Sequence, residues 1–356
     1  MRKLRWGIMS TASVARDSVI PAIRESETGV VSAIASRDIR KSGQTAEGIG
    51  GAVRAYGNYE DLLEDPEIDA VYIPLPNHLH AKWSIAALKA GKHVLCEKPG
   101  ALSAIQFEKV LSAAESTGKH YAEALMYRYH PQFKEVKQRI RKGAIGELRL
   151  IRACFTCNSA DSQGNIRFRE EWGGGALYDL AEYPLSAARW LTGEEPEAVT
   201  VHASYSEAHG GVDMSASGLV EFPGGVSLLF DCGLWAEERR CLEIVGSEGR
   251  IELPHAFSGK EQSGYFLYKG RETTEARERP LNAYVLEIDH FGQVVLEGRQ
   301  PDFTASDALK NLRLLDACRQ SALQKRRIKL ETGRETRKPQ ALRTKTSLGL
   351  VSKKMK

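Results

Sequence analysis

No apolar run in this chain approaches the roughly 20 residues that cross a bilayer, so nothing in it predicts a membrane span. The start, Met-Arg-Lys-Leu-Arg, could head a signal peptide, with Ser13-Val14-Ala15 as a loose cleavage site. The stretch between them is short and carries Ser10 and Thr11, which suits a buried strand better than an export signal. A cytoplasmic protein is the expectation. Cysteine is scarce: six are scattered through 356 residues. Cys154 and Cys157 make a C-x-x-C, but within a strand-like run, where positions i and i+3 point to opposite faces. A zinc or redox pair needs both sulfurs on one side, so buried reduced thiols are expected. His202, His209, His255 and His290 have no metal-ligand spacing, and no metal is expected.

A strong excess of one charge sign is also missing from most of the chain. The net charge is +4, yet residues 332–356 alone carry eight Lys/Arg against Glu335. The remainder is therefore slightly acidic, and the excess lies in a basic tail of disordered composition. Such a tail is more often solvated than an arm for nucleic acid or an anionic surface, so neither partner is expected. With 42% hydrophobic and 27% charged residues, the make-up is that of folded soluble domains, and the length suffices for two.

The glycines of a dinucleotide-binding turn are the next absence. After the strand-like run Leu4 to Met9, Ser10, Ala12 and Ala15 stand where G-x-G-x-x-G would place glycine. All three are small enough for a pyrophosphate to approach the backbone, and a helix amino terminus follows to meet its charge. Further strands are expected at 30–35, 70–73, 93–96 and 119–122, with helices at 81–90 and 103–117. That alternation implies a doubly wound parallel sheet with ligands at the carboxyl ends of the strands. The second strand ends in Ser36-Arg37, with Asp38 one place later than the acid that would hold a ribose 2′-hydroxyl. A hydroxyl and a guanidinium suit a 2′-phosphate, so NADP is favoured, with NAD as the alternative; a surface arginine beside a helix-starting Asp38 is the other reading of these residues. The inner strand at 93–96 runs into Glu97-Lys98-Pro99, which aims a lysine into the ligand crevice. A cis bond before Pro99 would fix its direction.

Residues 173–183 read Gly-Gly-Gly-Ala-Leu-Tyr-Asp-Leu-Ala-Glu-Tyr. In a helix, Asp179 and Tyr183 share a face, while Leu177, Leu180, Ala181, Pro184, Ala188 and Leu191 take the opposite one. A carboxylate and a phenol off the packed face, behind a loop almost without side chains, suggest a place where a ligand comes close; a glycine turn before an ordinary amphipathic helix is the equal alternative. Pro184 cannot bond the Leu180 carbonyl and should loosen the turn beside Tyr183.

In order, the STASVA turn, Ser36-Arg37-Asp38, Asn77-His78-Leu79-His80, Glu97-Lys98-Pro99, the segment Glu123 to Pro131, Asn165-Ile166-Arg167 and the GGGALYDLAEY stretch resemble the glucose–fructose oxidoreductase/inositol dehydrogenase (Gfo/Idh/MocA) family. The resemblance covers about residues 4–330. It is greatest to the branch of NADP-dependent xylose and dihydrodiol dehydrogenases. It implies an α/β fold: a Rossmann domain over 1–123 and a second α/β domain over 124–331 with a large open, mainly antiparallel sheet. The basic tail is 332–356. Successive strand-like runs after residue 145, with turns at Pro223-Gly224-Gly225 and Gly246 to Gly249, fit that second domain on their own. A homodimer or homotetramer through the open sheet is the implied assembly.

The resemblance further implies an oxidoreductase moving a hydride between NADP(H) and a carbohydrate or polyol carbon. The catalytic residues it carries over are Lys98, Asp179 and Tyr183. Cofactor contacts are expected from Ser10, Thr11, Ala12, Ser13, Val14, Ser36, Arg37, Leu75, Asn77, His80, Glu97 and Lys98. Arg128 and Arg167 are candidates for substrate, each with a structural ion pair as the alternative. Tyr183 stands where inositol dehydrogenases have histidine, and it is expected to be the general acid/base, with the Lys98 ammonium lowering its pKa. Ala181 replaces a glycine usual in the family. Two other readings stay open: a ketoreductase acting on a nucleotide-linked sugar, and a silent cofactor-binding regulator.

Overall fold

The computed structural model describes residues 2–162, 164–259, 264–277 and 281–331. The basic tail 332–356 lies outside them.

The first sheet is built from β1 (Leu4–Met9), β2 (Gly29–Ala35), β3 (Arg54–Tyr56), β4 (Ala70–Ile73), β5 (His93–Glu97) and β6 (Tyr121–Ala124), in the order β3-β2-β1-β4-β5-β6. Each neighbouring pair is parallel. Its helices are α1 (Ile20–Glu25), α2 (Ile39–Ile49), α3 (Tyr59–Glu64), α4 (Asn77–Lys89) and α5 (Ala104–Thr117). The strands are near-continuous apolar runs because both faces are covered. Strand order reverses between β1 and β4, and a crevice opens there at their carboxyl ends. The expected strand at 119–122 is displaced to Tyr121–Ala124, and the three-residue edge strand β3 has too short a pattern to read. Helix α4 begins at Asn77, four residues before the expected start. Asn77 and His80 therefore sit in its first turn and not in a loop.

Helix α6 (Pro131–Arg141) leads into the second domain. Its sheet comprises β7 (Leu148–Asn158), β8 (Ala198–Ser206), β9 (Val212–Glu221), β10 (Ser227–Gly233), β11 (Trp235–Arg239), β12 (Leu242–Gly246), β13 (Arg250–Leu253), β14 (Gly264–Lys269), β15 (Glu272–Arg277) and, after the helices, β16 (Ile328–Lys329). The order is β15-β14-β13-β12-β7-β10-β9-β8-β16, with β11 also on β7. The sheet is antiparallel except between β7 and β10. Helices α7 (Glu182–Thr192) and α9 (Ala305–Gln324) cover one face.

Helix α8 (Ala283–Glu297) returns to the first domain. Ile288 and Phe291 pack with Leu4, Trp6 and Ile23, and the Asp289 carboxylate accepts from Ser26 Oγ at 2.6 Å. The expected boundary at 123/124 falls within β6, one residue before its end, and α8 packs on the first domain although it lies far beyond that boundary.

Candidate active site

The ends of three neighbouring strands converge on one cavity of about 300 Å³. From β1 come Ala12, Ser13 and Val14; from β4 come Leu75, Asn77 and His80; from β5 come Glu97 and Lys98. The second domain adds Phe155, Arg167, Trp172, Asp179 and Tyr183, so the cavity is closed by residues of both domains. Ser10, Thr11, Ser36 and Arg37 do not line it. Ser10 Oγ accepts from the Ala12 amide at 3.0 Å and shapes the first turn from behind.

Lys98 and Asp179 meet across the cavity. The Lys98 ammonium donates to the Asp179 carbonyl at 2.5 Å and to its Oδ1 at 3.1 Å. Arg167 Nε donates to Asp179 Oδ2 at 2.5 Å. Burial alone would raise the Asp179 carboxyl, but Arg167 and Lys98 outweigh it and hold the group well below the usual carboxylate range. The Lys98–Pro99 bond is cis, as the sequence suggested.

The Tyr183 ring lies beside the same lysine, with Nζ 5.4 Å from its centroid. It packs against Phe155 at 4.8 Å, Phe257 at 5.7 Å and Tyr127 at 5.8 Å. The expected lowering of its pKa is overturned. Burial pushes the phenol well above its ordinary value, and Glu97, Asp179 and Glu287 add to the push. The ammonium that was to lower it is already paired with Asp179, and the carboxyl groups nearby outnumber it.

The glycine loop has a different cause from the one its composition suggested. A Cβ on Gly173 would strike Leu102, one on Gly174 the Arg167 carbonyl, and one on Gly175 the Asp213 carboxylate. Gly173 and Gly175 also have φ of 76° and 108°, which side chains disfavour. The glycines let the chain fold back on itself. Gly174 and Gly175 donate to the Arg169 and Arg167 carbonyls, both at 2.9 Å, while Asn165 Oδ1 caps the Arg167 amide at 3.0 Å. The result is a fixed position for Arg167. The helix beyond starts as a π-turn, Leu177–Ala181, just before Pro184, and Asp213 accepts from the Leu177 amide at 2.7 Å. Helix α7 is buried almost all round, Ser186 and Ala188 alike, so the expected split into a packed and a free face is replaced by a helix inside the core.

His80 is fully buried between two carbonyls, with Nδ1 2.8 Å from Pro99 O and Nε2 2.6 Å from Leu75 O. Burial lowers its pKa to about 4. It ties the turn after β4 to the turn carrying Lys98. Asn77 does similar work across the domains, donating to the Gly173 carbonyl at 2.8 Å. Arg128 is brought elsewhere: it is buried in an ion pair with Asp307 at 2.7 Å, outside the cavity. Of the two arginines, Arg167 alone reaches the site.

Besides cavity residues such as Phe155 and Trp172, two sets of residues escaped sequence reading. Tyr284 and Glu287 of α8 line the cavity from a helix that begins at Ala283, 159 residues beyond the end of the last first-domain strand at Ala124. The signal available was a glutamate on the same helical face as Ala283 and Phe291, in an otherwise apolar stripe. Beneath the site, Glu123 accepts from the Gly100 amide at 2.9 Å, and Asn311 donates to Glu182. Burial, then mutual repulsion, raises Glu123; burial raises Glu182 against the pull of Lys98 and Arg128. Folded, these acids hold protons that the unfolded chain releases near pH ~4.3. Stability should therefore fall as pH rises from about 5 through neutrality. Thermal melts across that range check this, and Glu182→Gln should flatten the decline.

A doubly wound sheet with a lysine-bearing turn at its switch point, closed by a second domain, defines a dinucleotide-fold oxidoreductase architecture. Residues 4–125 match the model described as "Oxidoreductase family, NAD-binding Rossmann fold", and residues 133–252 match the "GFO/IDH/MocA C-terminal domain". The chain belongs to the Gfo/Idh/MocA family. It is 37% identical to an uncharacterized oxidoreductase of Rhizobium meliloti over 331 residues, covering 90% of this chain and 98% of that one. It is 33% identical to a D-xylose 1-dehydrogenase (NADP(+)) of Haloferax volcanii over 323 residues, 90% and 97% of the two chains. Among solved structures, a 3-ketoreductase from Actinomadura kijaniata in complex with NADP and TDP-benzene superposes with a TM-score of 0.85 at 31% identity, covering 90% and 98%. Structures of that enzyme with a lysine or a tyrosine substituted are similar too.

Proposed function

We propose that the protein transfers a hydride between NADP(H) and a carbon of a carbohydrate or polyol, with an aldose at its anomeric carbon as the leading substrate class. The observation that carries this is the meeting of Lys98, Asp179 and Tyr183 at the switch-point cavity. A bound nicotinamide would supply or accept the hydride. Lys98 has three donors, and two are taken by Asp179. Among the described residues the third has no hydrogen-bond partner and is available to the substrate oxygen, whose developing negative charge the ammonium stabilises. Tyr183 is held protonated and, among the described residues, has no partner for its hydroxyl, so in reduction it donates the proton to that oxygen. In oxidation it must first lose its proton. Asp179 holds Lys98 and Arg167 in place and acts as a positioning residue.

NADP fits this chain's residues. Asp38 is occupied capping α2 and pairing with Arg40, which competes with any bond to a ribose hydroxyl. Among the described residues Arg37 has no ion pair and is free for a 2′-phosphate. Arg37→Ala should raise the KM for NADPH about 100-fold, as expected for a lost charged pair worth ~2–3 kcal/mol, and leave that for NADH nearly unchanged. Initial rates with both cofactors check it; equal effects on the two would remove the argument for NADP.

A second reading is supported by the cavity mouth. Trp172 stacks on His78 at 5.3 Å, with the Arg169 guanidinium 5.0 Å from the Trp172 ring. Aromatic and cationic groups of that kind suit a nucleotide-linked sugar, as in the ketoreductase reading. A panel of free aldoses, polyols and nucleoside-diphosphate ketosugars, followed by NADPH absorbance, separates the two. Turnover with none of them, despite tight NADPH binding, would sink both and favour the regulator.

A further inference from the structure

The C-x-x-C spacing at Cys154 and Cys157 does not pair those two residues. Cys154 instead faces Cys241, which lies between β11 and β12, with the two sulfurs 2.7 Å apart. Strand β12 runs antiparallel to β7 in a register that sets Leu242 opposite Ala153, so Cys241 falls directly opposite Cys154. The Cys154 amide donates to the Cys241 carbonyl at 2.9 Å, so the two residues meet across the strands. Directly opposed antiparallel residues have Cα atoms about 4.5–5.5 Å apart, inside the range of about 4.4–6.8 Å that a disulfide spans. Cys157, three residues on, takes the opposite face of the strand and packs against the core. Both Cys154 and Cys241 line a groove on the sheet face not covered by α7 and α9, together with Arg152, Asp231 and Arg239.

We propose that Cys154 and Cys241 form a thiol pair that a hydroperoxide oxidises to a cross-strand disulfide. The Cys154 thiolate attacks the peroxide, one oxygen is transferred to sulfur, and the other leaves as hydroxide. The Cys241 sulfur then displaces hydroxide from the resulting sulfenic acid, and the S–S bond forms. Two thiols lose two electrons and two protons, and hydrogen peroxide becomes two waters. The chemistry needs a thiolate, and the hydrogen bond from Cys241, aided by the Arg239 guanidinium, brings the Cys154 thiol down to about 7 against the opposing effect of burial. The bond would pin β7 to the segment entering β12, one residue from Phe155, which packs on the Tyr183 ring.

The test is to treat the full-length native protein with a small excess of hydrogen peroxide at pH 7.5, block free thiols, and map peptides before and after reduction. The expected product has lost two hydrogens, contains one Cys154–Cys241 linked peptide, and reverts fully with a thiol reductant. Cys157→Ser should leave the link intact, whereas Cys241→Ser should replace it with over-oxidised or blocked Cys154. A link from Cys154 to Cys157, or oxidation of the other cysteines while Cys154 and Cys241 stay as free thiols, overturns the proposal. The wild-type map alone decides between these outcomes if a variant fails to fold.

Discussion

Tyr183→Phe should lower turnover about 1,000-fold at saturating NADPH and substrate, within the ~10²–10⁴-fold range of general acid–base catalysis, and leave NADPH affinity unchanged. The substitution removes one oxygen and keeps the ring that fills the space among Phe155, Phe257 and Tyr127. Melting temperature should therefore stay near the wild-type value, which separates loss of a proton donor from loss of packing. The raised phenol also sets a pH signature. Protonated Tyr183 is the form needed to reduce a carbonyl, so the reduction rate should be level through neutral pH and decline only in the alkaline range. Oxidation needs the deprotonated form, so its rate should climb with pH over the same interval. Wild-type turnover in the variant would remove Tyr183 from the chemistry; a level profile in both directions would remove its titration.

What the sequence made legible were features fixed by local constraints. The turn Glu97-Lys98-Pro99 could be placed because strands of a parallel sheet end at the crevice, and a lysine just past an inner strand has little choice of direction. Asp179 and Tyr183 could be paired from helical spacing, and they do share the cavity. Long-range packing was not legible. The three glycines read as room for a ligand, yet they are demanded by Leu102, the Arg167 carbonyl and Asp213, contacts from distant segments. Tyr183 was assigned a lowered pKa from one neighbour because its burial, the largest cause of the rise, comes from long-range packing; Glu97 and Asp179 add to it, and so does Glu287, from a helix whose return to the first domain no local pattern announces. Arg128 and Arg167 looked equivalent as isolated arginines. What separates them is a partner: Asp307 in one case and Asp179 in the other.

Lys98 and Asp179 carry the other large effect, and comparing their variants distinguishes charge stabilisation from scaffolding. Lys98→Met keeps the length of the side chain and removes its charge. Asp179 retains Arg167, so the carboxylate is not left alone in the core, and the loss of stability should be modest. Activity should fall about 100- to 1,000-fold, the usual effect of removing one donor aimed at a developing oxyanion. Asp179→Asn does the reverse. It leaves Lys98 and Arg167 as two cations facing a neutral amide, with Lys98 nearly buried at 10% side-chain exposure. Breaking a buried pair typically costs about 3–5 kcal/mol, and Arg167, 44% exposed, recovers part of its solvation, so about 2–3 kcal/mol is expected. Denaturant titrations beside kcat and KM measure both quantities. The double variant should be no less active than Lys98→Met, since Asp179 acts on the reaction through the lysine it holds. If Lys98→Met kept turnover and lost stability instead, the ammonium would serve as an anchor between the domains, and charge at the substrate oxygen would have to be met by Arg167.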